Sequence, residues 1–217
     1  YQLLRSLVGS EMCIRDSGRA LKEEEGEPSA VRRARVRQHF LDSLDESRLV
    51  LDTKVDGFLA STHLWAGEAV YYNEPIQLVY VSSRQAIDPG PAVPGYAISN
   101  WAVLQLPKVL KVNLGRNSDL VQAFSLMFPF IRTGMTDEYV DNERVFGRWQ
   151  SRMLEPHEMA EAFMALLARP GEETDDGMFE LMVDTNDVED IELTWRQVKL
   201  NLVEEQLEWS AGNPLKL

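Results

Sequence analysis

The sequence predicts an α/β domain built on a mainly parallel sheet, and two observations favour this class. Apolar runs of strand length, rich in β-branched and aromatic residues, recur at residues 76–83, 121–130 and 178–183. Segments whose apolar residues recur at helical spacing lie between and before these runs. Because strands that alternate with helices form βαβ units, we expect the strands to lie parallel.

Composition limits the class of protein. The chain has 217 residues, of which 44% are hydrophobic, and a net charge of -13, which indicates one sizeable globular domain. Such an acidic chain repels phosphate backbones, so we expect no nucleic-acid partner. No apolar run reaches the roughly 18 residues that a membrane helix needs. The single cysteine, Cys13, indicates a reducing compartment, and the scattered histidines predict no metal site. We therefore expect a cytoplasmic protein.

The N-terminal residues precede the predicted domain. Residues 1–17 resemble a leader that arises when the low-quality ends of assembled environmental sequence are translated, and we interpret them as a translation artefact. A short targeting peptide is the alternative, but charged residues interrupt its apolar segment. Residues 18–44 form a charged lead-in, in which an acidic block precedes a basic one. That pattern is typical of a solvated helix face or a flexible segment.

The first predicted helix runs from Asp45 to Tyr71 and carries an apolar stripe that includes Val55 and Phe58. Lys54 lies on this stripe rather than opposite it. A lysine at such a position ordinarily extends its ammonium to solvent. The functional alternative is a buried ammonium with a hydrogen-bond partner, because unpartnered burial would be costly.

The central stretch places two hydroxyl groups near each other. A strand from Ile76 ends at Ser83, a loop rich in Pro and Gly follows, and a helix opens at Tyr96 and ends at Gly115. In open α/β sheets, ligands bind at the carboxyl ends of the strands. We therefore expect the Ser83 hydroxyl and the Tyr96 phenol to meet at that edge. Pro107 lies inside the helix and is expected to kink it.

The remaining elements continue the alternation. We predict a helix from Asp137 to Trp149, and a clearer one from Pro156 that stops at Pro170 and Gly171. After the strand at 178–183, residues 186–217 form an acidic tail that is predicted as a strand followed by a helix.

The spacing of three residues matches a known family. Tyr96 follows Ser83 by thirteen residues, and Asn100 follows Tyr96 by four, so both helix residues lie on one face. This arrangement resembles the short-chain dehydrogenase/reductase family, whose members carry Ser, a Tyr thirteen residues later, and Tyr-x-x-x-Lys. The resemblance covers roughly residues 45–185. It implies the C-terminal part of a Rossmann-like doubly wound parallel sheet, with the first βαβ cofactor half missing.

One departure from the family pattern is informative. Asn100 stands where the family has lysine, and Lys54, in T-K-V-D-G, stands where it has a helix asparagine. This exchange is similar to the ketoreductase domains of modular polyketide and fatty-acid synthases. The resemblance implies that Tyr96 donates a proton, that Lys54 lowers the Tyr96 pKa, and that Ser83 hydrogen-bonds the substrate carbonyl. Asn100 would orient Lys54 and a water molecule.

The same resemblance implies a cofactor and a substrate. The cofactor would be NADPH rather than NADH, contacted by Lys54, Tyr96 and the segment that contains Phe128, Pro129 and Thr133. The substrate would be a β-ketoacyl thioester on an acyl carrier protein, or a small ketone. Since no G-x-G-x-x-G turn occurs in the sequence, we expect a truncated gene whose product neither binds NADPH tightly nor turns over alone. Its partners would be the missing N-terminal half or neighbouring synthase domains, and it could also form a homo-oligomer.

Two alternatives share this pattern. The chain could be a non-catalytic, reductase-like scaffold or dimerisation domain of a synthase that retains the motif by descent. It could also be a stand-alone short-chain alcohol dehydrogenase, although such an enzyme would usually carry lysine at position 100.

Overall fold

A five-stranded sheet with helices on both faces forms the described part of the chain. The computed structural model describes residues 25–89, 94–134, 136–137, 152–183, 192–203 and 206–216, with the backbone alone beyond residue 199. The helices are α1 (Ser29–Leu51), α2 (Gly57–Tyr72), α3 (Pro94–Leu114), α4 (Pro156–Leu167) and α5 (Gly171–Thr174). The strands are β1 (Ile76–Ser83), β2 (Val121–Phe128), β3 (Met178–Val183), β4 (Leu193–Val203) and β5 (Gln206–Lys216).

The sheet has the strand order β1-β2-β3-β4-β5. Strands β1, β2 and β3 are parallel, and Ser83 at the end of β1 lies opposite Phe128 at the end of β2. Strand β4 pairs antiparallel with β3, and β5 pairs antiparallel with β4. The parallel part confirms the predicted Rossmann-like architecture, and the antiparallel hairpin extends it.

Two apolar cores lie on opposite faces of the sheet. On one face, Phe58 of α2 and Val103 of α3 pack with Leu78 and Tyr80 of β1. On the other face, α4 packs its buried residues, including Leu166, against alternate residues of β2 to β4. Helices on both faces are what a doubly wound sheet requires.

The first helix begins earlier than the sequence predicts. It starts at Ser29 rather than Asp45, and a single π-helical turn, Asp52–Asp56, joins it to α2. The extra segment has no apolar stripe, since Ser43 is the one buried residue of α1. Burial periodicity therefore could not reveal it. Its N-terminal part is joined to the preceding residues by an ion pair between Arg35 and Glu27, at 2.8 Å.

The tail prediction is wrong in its second half. Residues 206–216 form a strand, not a helix, because the β4–β5 pairing supplies their backbone hydrogen bonds. A register shift in this pairing sets two residues of β5, between Ala211 and Pro214, against one of β4, between Arg196 and Val198, and so interrupts the alternation along β5. The strand predictions at 76–83, 121–130 and 178–183 and the helix from Pro156 are confirmed. Residues 138–149 of the helix predicted from Asp137 lie outside the described residues.

The part of the chain that the structure describes contains no helix that is both long and apolar enough to cross a bilayer. Across the same residues, no group of three or more His, Cys, Asp or Glu side chains is placed to hold a metal ion.

Candidate active site

The π-helical turn between α1 and α2 carries Lys54 into the protein interior. π turns bulge a helix and redirect its side chains. Lys54 is only 6% exposed, and its Nζ donates a hydrogen bond of 2.5 Å to Oδ1 of Asn100. The same Nζ lies 5.6 Å from the centroid of the Tyr96 ring. Lys54 is therefore buried with a partner, and it lies beside the predicted proton donor.

Asn100 connects the other groups. Its side chain is fully buried on α3, and its Nδ2 donates to the backbone oxygen of Tyr96, one turn earlier, at 2.8 Å. Its Oδ1 accepts from Lys54 and also from Oγ of Ser82, the latter at 3.3 Å. Because both donors face Oδ1, the amide is oriented with its oxygen toward the ammonium.

Ser83 and Tyr96 face each other across the loop that joins β1 to α3. Ser83 is the last residue of β1, and its Oγ accepts a hydrogen bond of 3.3 Å from the backbone N of Gln85. Tyr96 lies in the first turn of α3. Burial raises the pKa of Tyr96, while hydrogen bonds with the side chains of Ser83 and Asn100 act to lower it. The Ser83 hydroxyl thus both caps the turn and contacts the phenol.

The direction of the Tyr96 shift differs from the sequence prediction. The sequence predicts a lowered pKa from the nearby ammonium, but the Tyr96 pKa is raised, because burial outweighs the hydrogen bonds with Ser83 and Asn100. Burial also lowers the pKa of Lys54 to about 8. Both shifts have the same cause, because a buried site disfavours the charged form of either group. At neutral pH the phenol therefore keeps its proton, and most of the Lys54 side chains remain protonated.

The predicted cofactor segment only partly reaches this edge. Phe128 ends β2 opposite Ser83, and Pro129 follows it, so both lie at the carboxyl edge of the sheet. Phe128 packs edge-to-face on Phe163, with ring centroids 6.3 Å apart. Thr133 lies farther along the loop, is exposed, and its backbone N donates to Oγ1 of Thr136 at 2.8 Å. The cofactor roles of these residues stay predictions.

The hydrogen-bond donors of Lys54 suit one end of a nicotinamide cofactor. Lys54 has three N–H donors and gives one to Asn100, which leaves donors for the ribose hydroxyls beside the nicotinamide. A pyrophosphate group would need backbone N–H groups from a glycine-rich turn at a helix start, and the sequence has no G-x-G-x-x-G. These residues therefore fit the nicotinamide end of the cofactor and not its diphosphate.

Ser82 is a site residue that sequence reasoning missed. It is 4% exposed and lies on the same face of β1 as the buried Leu78 and Tyr80. The signal was present, since a polar residue at the buried positions of a half-exposed strand requires a hydrogen-bond partner. Its partner is Asn100.

Solved structures share this fold, although sequence comparisons find no relatives. No protein-family model matches the sequence, and no curated protein matches it. A 4-hydroxyisoleucine dehydrogenase complexed with NADH superimposes with a TM-score of 0.55 at 18% identity, over 63% of this chain and 57% of its own. A short-chain type dehydrogenase/reductase from Mycobacterium ulcerans gives 0.55 at 20% identity, over 63% and 50%.

The matched region thus spans 57% of the first of these proteins and 50% of the second. A short-chain dehydrogenase from Bacillus anthracis str. 'Ames Ancestor' is similar, with a TM-score of 0.50 at 15% identity over 63% of this chain and 53% of its own. About two thirds of the chain therefore has the fold of solved short-chain dehydrogenases/reductases.

Proposed function

We propose that the chain carries the catalytic centre of a nicotinamide-dependent ketoreductase, as a fragment of a ketoreductase domain. One observation carries the proposal: the Lys54 ammonium is hydrogen-bonded to Asn100 at 2.5 Å and lies 5.6 Å from the Tyr96 ring. The two residues exchanged in sequence relative to the short-chain family pattern are thus direct partners. A structural lysine would not need to be buried beside a phenol at the ligand-binding edge of the sheet.

The side chains have distinct parts in ketone reduction. The bound cofactor supplies the hydride that reduces the carbonyl carbon. Ser83 donates to the carbonyl oxygen as negative charge develops there. Tyr96 gives that oxygen its proton. Lys54 stabilises the resulting phenolate. Its hydrogen bond to Asn100 keeps the ammonium where it can assist the return of a proton to Tyr96.

The protonation state of Tyr96 suits the acid role that ketone reduction requires. Alcohol oxidation needs the phenolate as a base, whereas reduction needs the phenol as an acid. Since burial raises the pKa of Tyr96, the phenol is the dominant form at neutral pH.

The finer parts of the proposal concern cofactor and substrate. The Lys54–Asn100 exchange supports a β-ketoacyl thioester on an acyl carrier protein, or a related ketone, as substrate, with NADPH as hydride donor. A structural neighbour was solved with NADH, which supports the nicotinamide class without choosing between the two cofactors. Lys54 and Tyr96, with Phe128 and Pro129 at the same edge, would contact the nicotinamide end.

Two proteins test the proposal. For the 217-residue chain, we expect fluorescence titration to show no micromolar NADPH binding, because the sequence has no G-x-G-x-x-G turn to bind the diphosphate of the cofactor. For the protein expressed from the gene together with its upstream sequence, we expect NADPH oxidation with an acetoacetyl thioester, followed by absorbance.

The matched variants are Tyr96→Phe and Tyr71→Phe. Tyr96→Phe should reduce turnover by at least about 100-fold, the usual contribution of a general acid. Tyr71 is 80% exposed, so Tyr71→Phe should have no effect. Absent turnover in the extended protein, or turnover that survives Tyr96→Phe, would contradict the proposal and favour the scaffold alternative.

A further inference from the structure

Ser82 makes two hydrogen bonds to one residue of the candidate site. Its Oγ lies 2.9 Å from the backbone oxygen of Asn100 and 3.3 Å from Oδ1 of the same residue. Both residues are buried, with Ser82 4% exposed and Asn100 fully enclosed. A hydroxyl has one proton to donate, so the two oxygens share it. The Ser82 hydroxyl therefore ties the end of β1 to both the backbone and the side chain of α3.

A second serine provides a structural comparison. Ser125 on β2 is fully buried, and its Oγ donates to the backbone oxygens of Val103 and Leu104 at 3.2 and 3.3 Å. Both serines thus fasten α3 to a strand through helix carbonyls. Ser82 differs from Ser125 in that it also donates to a side chain of the candidate site, that of Asn100.

The orientation of the Asn100 amide depends on what surrounds Oδ1. Lys54 and Ser82 both present donors to that atom. If the amide rotated by half a turn, Nδ2 would face the ammonium and the hydroxyl proton, and donors would oppose donors. The backbone oxygen of Tyr96, which accepts a hydrogen bond from Nδ2, opposes this rotation as well. Removal of the Ser82 hydroxyl takes away one of these three groups, and it also frees the carbonyl of Asn100 from its link to the strand.

We propose that Ser82 is a positioning residue that holds the Asn100 amide with Oδ1 toward the Lys54 ammonium. The inference rests on the proposed function only in taking Lys54 as a functional group. Ser82 has no direct contact with substrate or cofactor in this role. It acts through Asn100.

A measurable consequence follows at Lys54. A hydrogen bond to the ammonium favours the charged form, so a weaker bond to Asn100 should lower the pKa of Lys54 further below its present value of about 8. The titratable group that faces Lys54 from α3 is the Tyr96 phenol. On its own turn stand Asp52 and Asp56, both exposed. These three groups are the same in the variants compared below.

The experiment is an NMR titration of the full chain labelled with ¹³Cε-lysine. The Lys54 resonance is assigned by its loss in Lys54→Met. We expect Ser82→Ala to lower the Lys54 pKa by about half a unit or more, an order-of-magnitude shift for one lost hydrogen-bond contact. Ser125→Ala should leave the Lys54 pKa unchanged, and Ser82→Thr, which retains a hydroxyl, should restore it. An unchanged pKa in Ser82→Ala, or an equal shift in Ser125→Ala, would overturn the inference.

Two features keep this test decisive. The titration needs neither cofactor nor substrate, so a failure of the proposed function to show turnover leaves its result unaffected. If Ser82→Ala does not fold, as judged by circular dichroism, Ser82→Cys conserves volume and offers only a weak donor. We expect Ser82→Cys to shift the Lys54 pKa in the same direction, and an unchanged value there would equally overturn the inference.

Discussion

Lys54 shows how a single residue at a candidate site can lower the stability of the fold. Its ammonium is buried, and the pKa falls from 10.5 to about 8 as a result. A fall of that size corresponds to about 3 kcal/mol of unfavourable free energy for the charged form. The hydrogen bond to Asn100 offsets only part of this cost. Natural proteins accept such costs mainly at functional sites.

We predict that Lys54→Met stabilises the fold in a pH-dependent way. Below pH 8 both the folded and the unfolded states carry the proton, so the burial cost in the wild type is fully present. As the pH rises from 8 toward 10.5, the folded state loses its proton first, and the cost fades. The stability gained by the variant should therefore be larger at pH 7 than at pH 10 by about 2 kcal/mol.

Urea denaturation of both proteins at the two pH values measures this difference directly. Lys108→Met is the control, because Lys108 is exposed on α3 and its substitution should give the same small change at both values. A gain from Lys54→Met that does not vary with pH would show that the ammonium is not buried as described.

Sequence reasoning found the exchanged pair but not its surroundings. The resemblance of the segments around Lys54 and Asn100 to synthase ketoreductases implies that the two residues act together. The π turn that buries Lys54 has no residue signature in D-T-K-V-D. The raised pKa of Tyr96 depends on how much of the phenol is covered, and the order of residues does not show that.

At the scale of elements, α1 and α3 make an unusually close contact. A Cβ built on Gly95 would lie 2.5 Å from Cα of Ser47 and 2.6 Å from its backbone oxygen. The backbone N of Gly95 also donates to Oγ of Ser47 at 3.0 Å. Because Tyr96 follows Gly95, this contact sets where the first turn of α3 lies. Glycine is required here for space rather than for an unusual φ.

Gly95→Ala should therefore destabilise the protein by about 1–3 kcal/mol, because the atoms it would meet are backbone and cannot rotate away. Gly67 gives the matched control, since it lies in the interior of α2 with nothing within 4 Å of an added Cβ. Gly67→Ala should stabilise by about 0.5–1 kcal/mol, because alanine loses less backbone entropy in a helix. Thermal unfolding followed by circular dichroism checks both signs, and a neutral Gly95→Ala would mean that the helices are farther apart.

The elements that could be predicted are those that bury a regular apolar pattern. Strand β1 and helix α3 have such patterns. Helix α3 ends at Leu114, and the residue that follows it, Gly115, is the predicted stop and has a φ of +54°. Residues 206–216 become a strand through pairing with β4. The first half of α1 buries almost nothing. In both cases the determining interactions leave no apolar period in the sequence.

At the scale of the whole molecule, a row of residues crosses four strands beneath α3. In register, Ser82 pairs with Met127, Met127 with Glu180, and Glu180 with Arg196. Glu180 is 2% exposed and forms ion pairs with Arg196 and with Arg84, the residue after Ser83. This buried carboxylate links the turn beside the candidate site to the antiparallel hairpin.

The hairpin has a second attachment on the opposite face. Trp195 of β4 is fully buried, and its Nε1 donates to the backbone oxygen of Ala162 in α4 at 2.8 Å. The hairpin is therefore an integral part of the sheet, and its loss should affect the parallel strands as well.

Glu180→Gln is predicted to destabilise the whole sheet. The variant keeps the shape of the side chain but leaves two guanidinium groups without a compensating charge. Removal of one partner from a fully buried pair costs about 3–5 kcal/mol. Both arginine side chains are 28% exposed, so water can solvate them in part, and we expect a loss of about 2–3 kcal/mol. Glu173→Gln removes a surface partner of Arg169, 3.4 Å away, and should cost less than about 1 kcal/mol.

Hydrogen exchange shows whether the loss spreads as the connected row implies. In Glu180→Gln, amides of β1 and of β4 should exchange faster together, because Glu180 joins the turn after β1 to the hairpin. If exchange increased in β4 alone, Glu180 would anchor only its neighbouring strand. The turn that follows Ser83 would then be held by its own packing, in which Ala86 contacts Leu104 and Met127.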